Sequence, residues 1–293
     1  MQGPIMRTRW ILIATALLLC EAAAAESPNH RVTLSASADN ESGRDTGGSY
    51  QLSTDSISFF IGAYETEFAA TFFDVDARSF ARSVEGELIS SGLDVYMGDF
   101  GLHAGASLSS SADGLEKDTF RLGVSYTGDR SSVRVQAISV DATQPLIVLA
   151  SLDPIRFRRV EDQRDGTGIA FDVSWFLNEN WMLIGDVQRV WYDDGLLSIA
   201  RDRFDVRTPL NSAQRLIKWS AAAGVAWFVD DASLSLMFET LEDEDDDRRT
   251  TSAFLSLDVP VAERLSAGFS VGYATTQDDT STTFGGVDLS IKF

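Results

Sequence analysis

The sequence predicts an all-β protein, a transmembrane antiparallel up-and-down β-barrel of about 14 strands. Three observations lead there. Apolar side chains recur at every second residue over most of the chain, tight and long connections alternate along it, and the polar face of the alternation is built of small residues rather than charges. Successive strand side chains point to opposite faces, so period two means one oily face and one polar or small face per strand.

The first segment reads as an address. Arg7 and Arg9 precede an apolar run from Trp10 to Cys20, then Glu21 and the small residues Ala22 to Ala25. This is the layout of a secretory signal peptide, residues 1–25, with an Ala-x-Ala cut that leaves 26–293 as the mature barrel. The run is far short of the ~20 apolar residues that span a bilayer as a helix. Cys20 follows Leu17-Leu18-Leu19, and the bulky Leu19 departs from the small residue that a lipoprotein signal sets before its cysteine.

Past the signal the strands follow in order. Val32, Leu34, Ala36 and Ala38 alternate with Thr33, Ser35 and Ser37; Phe120, Leu122, Val124 and Tyr126 with Arg121, Gly123 and Ser125. Ile169, Phe171, Val173, Trp175 and Leu177 form an apolar register, as do Trp219, Ala221, Ala223, Val225 and Trp227. Leu265, Ala267, Phe269, Val271 and Tyr273 stand against Ser266, Gly268, Ser270, Gly272 and Ala274. Two local departures occur. Arg189 falls on the apolar register beside Val187 and Trp191, and between Gln136 and Asp141 the two faces blur, which suggests a bulge or a strand end.

Short breaks fall at Thr54-Asp55, Gly98 to Gly101, Gly128 to Ser131, Asn178 to Asn180, Asp230-Asp231 and Pro260 to Glu263. Longer ones fall at Asp39 to Gly48, Glu65 to Val84, Ser110 to Asp118, Ala142 to Gly166, Asp193 to Gln214, Glu242 to Arg249 and Thr276 to Thr280. Membrane barrels alternate tight turns at one end with longer loops at the other; a soluble sandwich has no reason to. Counting between breaks gives about 14 strands, with about 12 or 16 inside the boundary error; Glu65 to Phe73 reads equally as loop or strand. An even count puts both termini at the tight-turn end.

Which face is inside follows from composition. A soluble barrel packs its large apolar residues inward and sets charges outside. Here the non-apolar face is mostly Ser, Gly, Ala and Thr, and the apolar face is bracketed by Trp181 and Trp191, or Trp219 and Trp227, as the aromatic girdles of a membrane band require. The apolar side is expected to face lipid.

Charge and cysteine content exclude other classes. With 44 Asp and Glu against 24 Lys and Arg, a net charge of −20, the chain lacks the basic surface that nucleic acid needs as a partner. One cysteine among 293 residues excludes a disulfide framework and a multi-cysteine metal site, and no cofactor or metal site is read. A mean hydropathy of −0.04 argues against a helical membrane bundle but suits alternating strands.

The last residues, Val287, Leu289, Ile291 and the terminal Phe293, are apolar at alternate positions. This ending resembles the assembly signal of Gram-negative outer-membrane β-barrel, porin-like proteins, with Gly285 standing where many such signals carry an aromatic. The resemblance implies recognition by the barrel assembly machinery, outer-membrane lipid and lipopolysaccharide as surroundings, and residence in the bacterial outer membrane. A barrel has no open edge, so the last strand should pair with the first, near Arg31 to Ala38.

Register places Asp94, His103, Arg121, Arg134, Asp172, Asp186, Lys218, Glu239, Asp258, Asp288 and Lys292 on the lumen face, a mildly acidic set. Charged rings bias ion passage, so a weak cation preference is expected. The small inward residues leave room for water. The apolar connection from Ala142 to Gly166 carries Arg156, Arg158, Arg159 and Arg164 and is expected either to fold into the mouth as a constriction loop or to pack on its outer neighbours. The acidic run Glu242 to Asp247 lacks the glycine and ligand spacing of a calcium loop and reads as a solvated charge run.

Catalysis finds little support at this level. A phospholipase barrel would need a His–Ser pair, yet no serine stands two residues after His103, and His30 adjoins the mature N-terminus. A protease barrel would use acidic pairs with a histidine at the outer rim, of which Asp193-Asp194 and Asp278-Asp279 mimic half. No catalytic constellation is assigned, and the chain is read as a non-enzyme. The expected function is a passive channel for small hydrophilic solutes. The alternatives are a non-channel structural or surface-interaction barrel and, below that, a barrel hydrolase of lipids or peptides.

Overall fold

The computed structural model describes residues 28–40, 43–73, 79–112, 114–152, 155–193, 216–244, 247–277 and 281–293, so the expected export signal lies outside the described residues. Strands β1 (Asn29–Asp39), β2 (Arg44–Ser53), β3 (Ile57–Phe73), β4 (Ser79–Met97), β5 (Phe100–Ser111), β6 (Glu116–Thr127) and β7 (Ser131–Leu152) make one half of the barrel. The other half is β8 (Ile155–Phe176), β9 (Trp181–Tyr192), β10 (Ile217–Val229), β11 (Ala232–Asp243), β12 (Arg249–Ala262), β13 (Leu265–Thr276) and β14 (Ser281–Lys292). Each strand pairs with its neighbour in the chain, and β14 closes on β1 with Arg31 opposite Lys292 and Asp39 opposite Phe284. Closure joins the first strand to the last, so the wall of the barrel keeps no free edge, as hydrocarbon demands.

Directly paired residues share a face, so the register sorts the whole wall into two sets. A bond between non-adjacent strands shows which set is inside. Arg121 Nη2 of β6 donates to Gln188 Oε1 of β9 at 3.0 Å, past β7 and β8, and only the concave side permits this. Arg121 shares its face with Thr119, Gly123 and Ser125; the opposite face carries Phe120, Leu122 and Val124, exposed by 52%, 68% and 55%. The apolar band is therefore outside, as the composition predicts.

The tight turns fall where expected. Gly98 takes φ 63° and Asp230 φ 52°, the left-handed conformation that Gly tolerates freely and Asp better than most residues. Trp181 and Trp227, paired across β9 and β10, stack at 6.0 Å between centroids near this end.

Two expectations are corrected. The connection Ala142 to Gly166 is not a loop folded into the mouth but the continuation of β7 and β8, each 22 residues long, paired almost to their tips. At roughly 3.3 Å per residue such strands reach roughly 70 Å, well past the 12-residue strands beside them. The β-rich run Leu146-Ile147-Val148-Leu149 facing Phe157 to Val160 explains the pairing. Nor is Gln136 to Asp141 a bulge. The register runs through it unbroken on both sides, and the blur arises because apolar residues turn inward there. Ile138, Val140 and Ala142 pack with Ala170, Val190 and Leu216 in an apolar cluster inside the barrel.

Several glycines on the inner face give their space to a bulky residue on the paired strand. Phe60 lies over Gly92, Phe284 over Gly272, Met237 over Gly224 and Val190 over Gly168. A Cβ at Gly168 would collide with the Arg189 carbonyl oxygen. The small inward residues thus hold neighbours flat against the wall rather than simply leaving room for water.

Candidate functional site in the lumen

The inner face is where the strands gather chemistry. Asp94, His103, Arg121, Arg134, Asp172, Asp186, Glu239, Asp258 and Asp288 all sit on the inward register, at the positions alternation assigns. Asp172 stands opposite Arg134 on one side and Asp186 on the other, and one buried carboxylate oxygen of Asp172 has no hydrogen-bond partner among the described residues. Glu239 Oε2 accepts from Ser252 Oγ at 3.4 Å. Asp288 folds over Gly268, which separates it from Asp258 on β12.

Lys218 departs from the expected place. The register slips between Ile217 and Trp219, leaving Lys218 as the extra residue of a bulge. Its ammonium then meets Asp247 at 2.8 Å and Glu242 at 3.4 Å at the rim instead of lining the lumen. Glu242 also accepts from Trp219 Nε1 at 3.0 Å and lies 3.6 Å from Arg249. The acidic run is thus tied down in part by the basic side chains beside it.

Of the four arginines of the expected constriction loop, Arg164 faces inward on β8, buried, with Nε donating to Asp162 Oδ2 at 3.0 Å. Arg156, Arg158 and Arg159 pair in the ladder with Ser151, Val148 and Ile147, and their side chains lie outside the described residues. Arg189 is outside, as its register says, with its guanidinium 5.6 Å from the Trp191 ring centroid, an exposed cation–π contact. His30 Nδ1 lies 2.7 Å from the Tyr50 hydroxyl. Val287, Leu289, Ile291 and Phe293 all lie on the outer face, exposed.

One grouping escapes a linear reading. His103 on β5 lies between Asp94 on β4 and Ser125 on β6: its Nδ1 is 2.6 Å from Asp94 Oδ1 and its Nε2 is 2.7 Å from Ser125 Oγ. His103 is 2% exposed and Ser125 7%. Tyr96 meets the imidazole edge-on at 6.1 Å between centroids. Ser125 lies 22 residues from His103, so no local motif announces it; only the pairing of Gly101 with Ser125 brings the two together.

The inner face also carries large apolar groups. Phe60, Phe254 and Phe284 point inward, and Phe60 is 41% exposed although it faces the lumen.

No protein-family model matches the chain, and no curated protein sequence does. Solved structures do. The monoaromatic hydrocarbon channel CymD superposes with a TM-score of 0.59 at 9% identity, over 92% of this chain and 89% of its own. The fold is that of a bacterial outer-membrane β-barrel. The Pseudomonas putida toluene transporter TodX matches at TM-score 0.50 and 10% identity, over 92% of this chain and 90% of that one. A loop-deleted form of OmpT, an outer-membrane protein of Vibrio cholerae, matches equally at TM-score 0.50 and 10% identity, over 92% of this barrel and all of its own length, 100%.

Proposed function

We propose that this barrel is a passive outer-membrane channel for small hydrophilic solutes with a weak cation preference. Its tight turns, with both chain ends, then face the periplasm, and its longer hairpins face outward. The observation that carries the reading is the inner wall itself: Ser, Gly and Thr interrupted by carboxylates at Asp94, Asp172, Asp186, Glu239, Asp258 and Asp288, against Arg121, Arg134 and Lys292. Loss of Lys218 to the rim makes the lumen set more acidic than parity alone suggests, which strengthens the cation bias. The lipid and lipopolysaccharide of the outer membrane are the surroundings that the exposed apolar band fits. Phe293 and its alternate neighbours would serve as the signal to the assembly machinery.

The test is conductance of purified protein in planar bilayers under a salt gradient. A reversal potential of the sign for cations supports the reading; clear anion selectivity or no conductance overturns it, the latter in favour of a non-channel structural barrel. A second reading rests on Phe254 and Phe284, which meet over Gly272 on the inner face, on Phe60 nearer the tight-turn end, and on the hydrocarbon-channel likeness of the fold. In it the solute has an apolar face. Liposome uptake separates the two: sugars entering faster than toluene favours the first, the reverse order the second.

A further inference from the structure

We propose that Asp94, His103 and Ser125 form a charge-relay site in which Ser125 is an activated nucleophile towards small carboxylic esters. The proton positions follow from the partners. A carboxylate only accepts, so the imidazole Nδ1 carries the hydrogen that bonds Asp94 Oδ1 at 2.6 Å. In the neutral ring Nε2 then holds a lone pair, and the Ser125 hydroxyl donates to it at 2.7 Å. That is the arrangement nucleophilic serines require: a base within hydrogen-bond reach and a third group that fixes the base's tautomer and orientation.

The surroundings suit the chemistry. A Cβ at Gly101 would stand 2.6 Å from Ser125 Oγ and 3.0 Å from His103 Nε2, so only glycine leaves the His–Ser line clear. At Gly105, the next inward position along β5 from His103, a Cβ would meet only the Ser91 carbonyl oxygen at 3.6 Å, so the inner face is open next to the imidazole. Arg134 is directly opposite Ser125 on β7 and on the same face, so register sets a cation beside the hydroxyl that could stabilise an oxyanion. Ser125 is one inward position from the strand end at Thr127, so an ester entering at the tight-turn mouth meets it within one step.

The steps balance without a further reagent. Ser125 Oγ bonds to the ester carbonyl carbon while its proton passes to His103 Nε2. The C–O bond to the alcohol then breaks, and the alcohol leaves with that proton. Water, deprotonated by the same imidazole, attacks the acyl-serine; the acid departs and Ser125 recovers its hydrogen.

The test treats the detergent-folded wild-type barrel, shown folded by its shift on an unboiled gel, with a fluorophosphonate probe and locates the modified peptide by mass spectrometry. Modification of Ser125, at least tenfold above that in boiled protein, is the expected result. His103→Gln and Asp94→Asn should each lower the labelling rate by tenfold or more, and Gly101→Val should abolish labelling. Hydrolysis of p-nitrophenyl acetate should fall in parallel. Because the mapping uses the wild-type chain, it stands even where Ser125→Ala fails to fold. Absence of Ser125 modification in the folded barrel, or labelling that His103→Gln leaves unchanged in a folded variant, overturns the proposal and leaves the three residues as a structural pin between strands.

Discussion

The wall from β6 to β10 and the wall from β12 through β14 to β2 are built from the same alternation but are not the same material. In the first, Ile138, Val140, Ala170, Val190 and Leu216 are buried on the inner face, beside the Asp162–Arg164 pair and under the Arg121–Gln188 bridge. In the second, the inner positions are mostly short, such as Ser35, Ser49, Ser256, Ser270 and Gly286, and they stay partly open to the lumen. One sector is a small hydrophobic core turned into a barrel; the other is a thin wetted wall. The difference teaches that a barrel of this size need not have a uniform inner face: one sector is packed with aliphatic side chains, and the other is mostly short residues with Phe254 and Phe284 over Gly272 as its bulky exceptions.

The strongest way to break that comparison is to bury a charge in each sector. Val140→Asp should cost on the order of 3 kcal/mol or more, because the carboxylate would enter the packed cluster of Ile138, Ala142, Ala170, Val190 and Leu216. Ser270→Asp, in the wetted wall, should change stability by less than about 1 kcal/mol. The temperature at which the folded gel band disappears reads both, and equal losses would mean that the sectors do not differ.

Glycine substitutions sharpen the same contrast at smaller scale. Gly168→Ala presses a methyl on the Arg189 carbonyl and the Val190 side chain and should cost about 1–3 kcal/mol. Gly105→Ala meets only ordinary contact and should stay within about 0.5 kcal/mol. Removing the bridge comes next. Arg121→Ala should cost about 1 kcal/mol as one side-chain hydrogen bond is lost, while raising single-channel conductance and shifting the reversal potential further towards cations. Unchanged conductance would show that the Arg121–Gln188 link does not narrow the path. On the lipid side, Trp181→Ala gives up a stacked pair worth about 1 kcal/mol in thermal unfolding.

Much of this was legible in the residues. Parity alone places Asp94, His103, Asp172 and Asp288 inside and Phe269, Val271 and Leu289 outside, because one step along a strand always reverses the side chain. It failed where the backbone departs from parity or where partners decide. At Lys218 a one-residue bulge sends the ammonium to the rim. Around Ile138 the residues are apolar on a face that elsewhere is polar, so the pattern looked broken although the strand continues. The apolar, arginine-rich stretch after Ala142 looked like a loop because its composition interrupts the alternation, yet pairing with its own return strand extends it.

The sequence by itself determined the alternation, a strand count near 14, the closing of the last strand on the first, and the orientation of the oily face. Those depend on local period and on the rule that hydrocarbon tolerates no unpaired backbone. Only the tertiary structure decided which inner residues touch. Cross-strand register joins positions far apart in the chain, and it sets His103 between Asp94 and Ser125, Arg121 against Gln188, and Phe60 over Gly92. A one-dimensional pattern states which side a residue faces, but its neighbours there are set by hydrogen-bond pairing and by the curvature of the closed sheet.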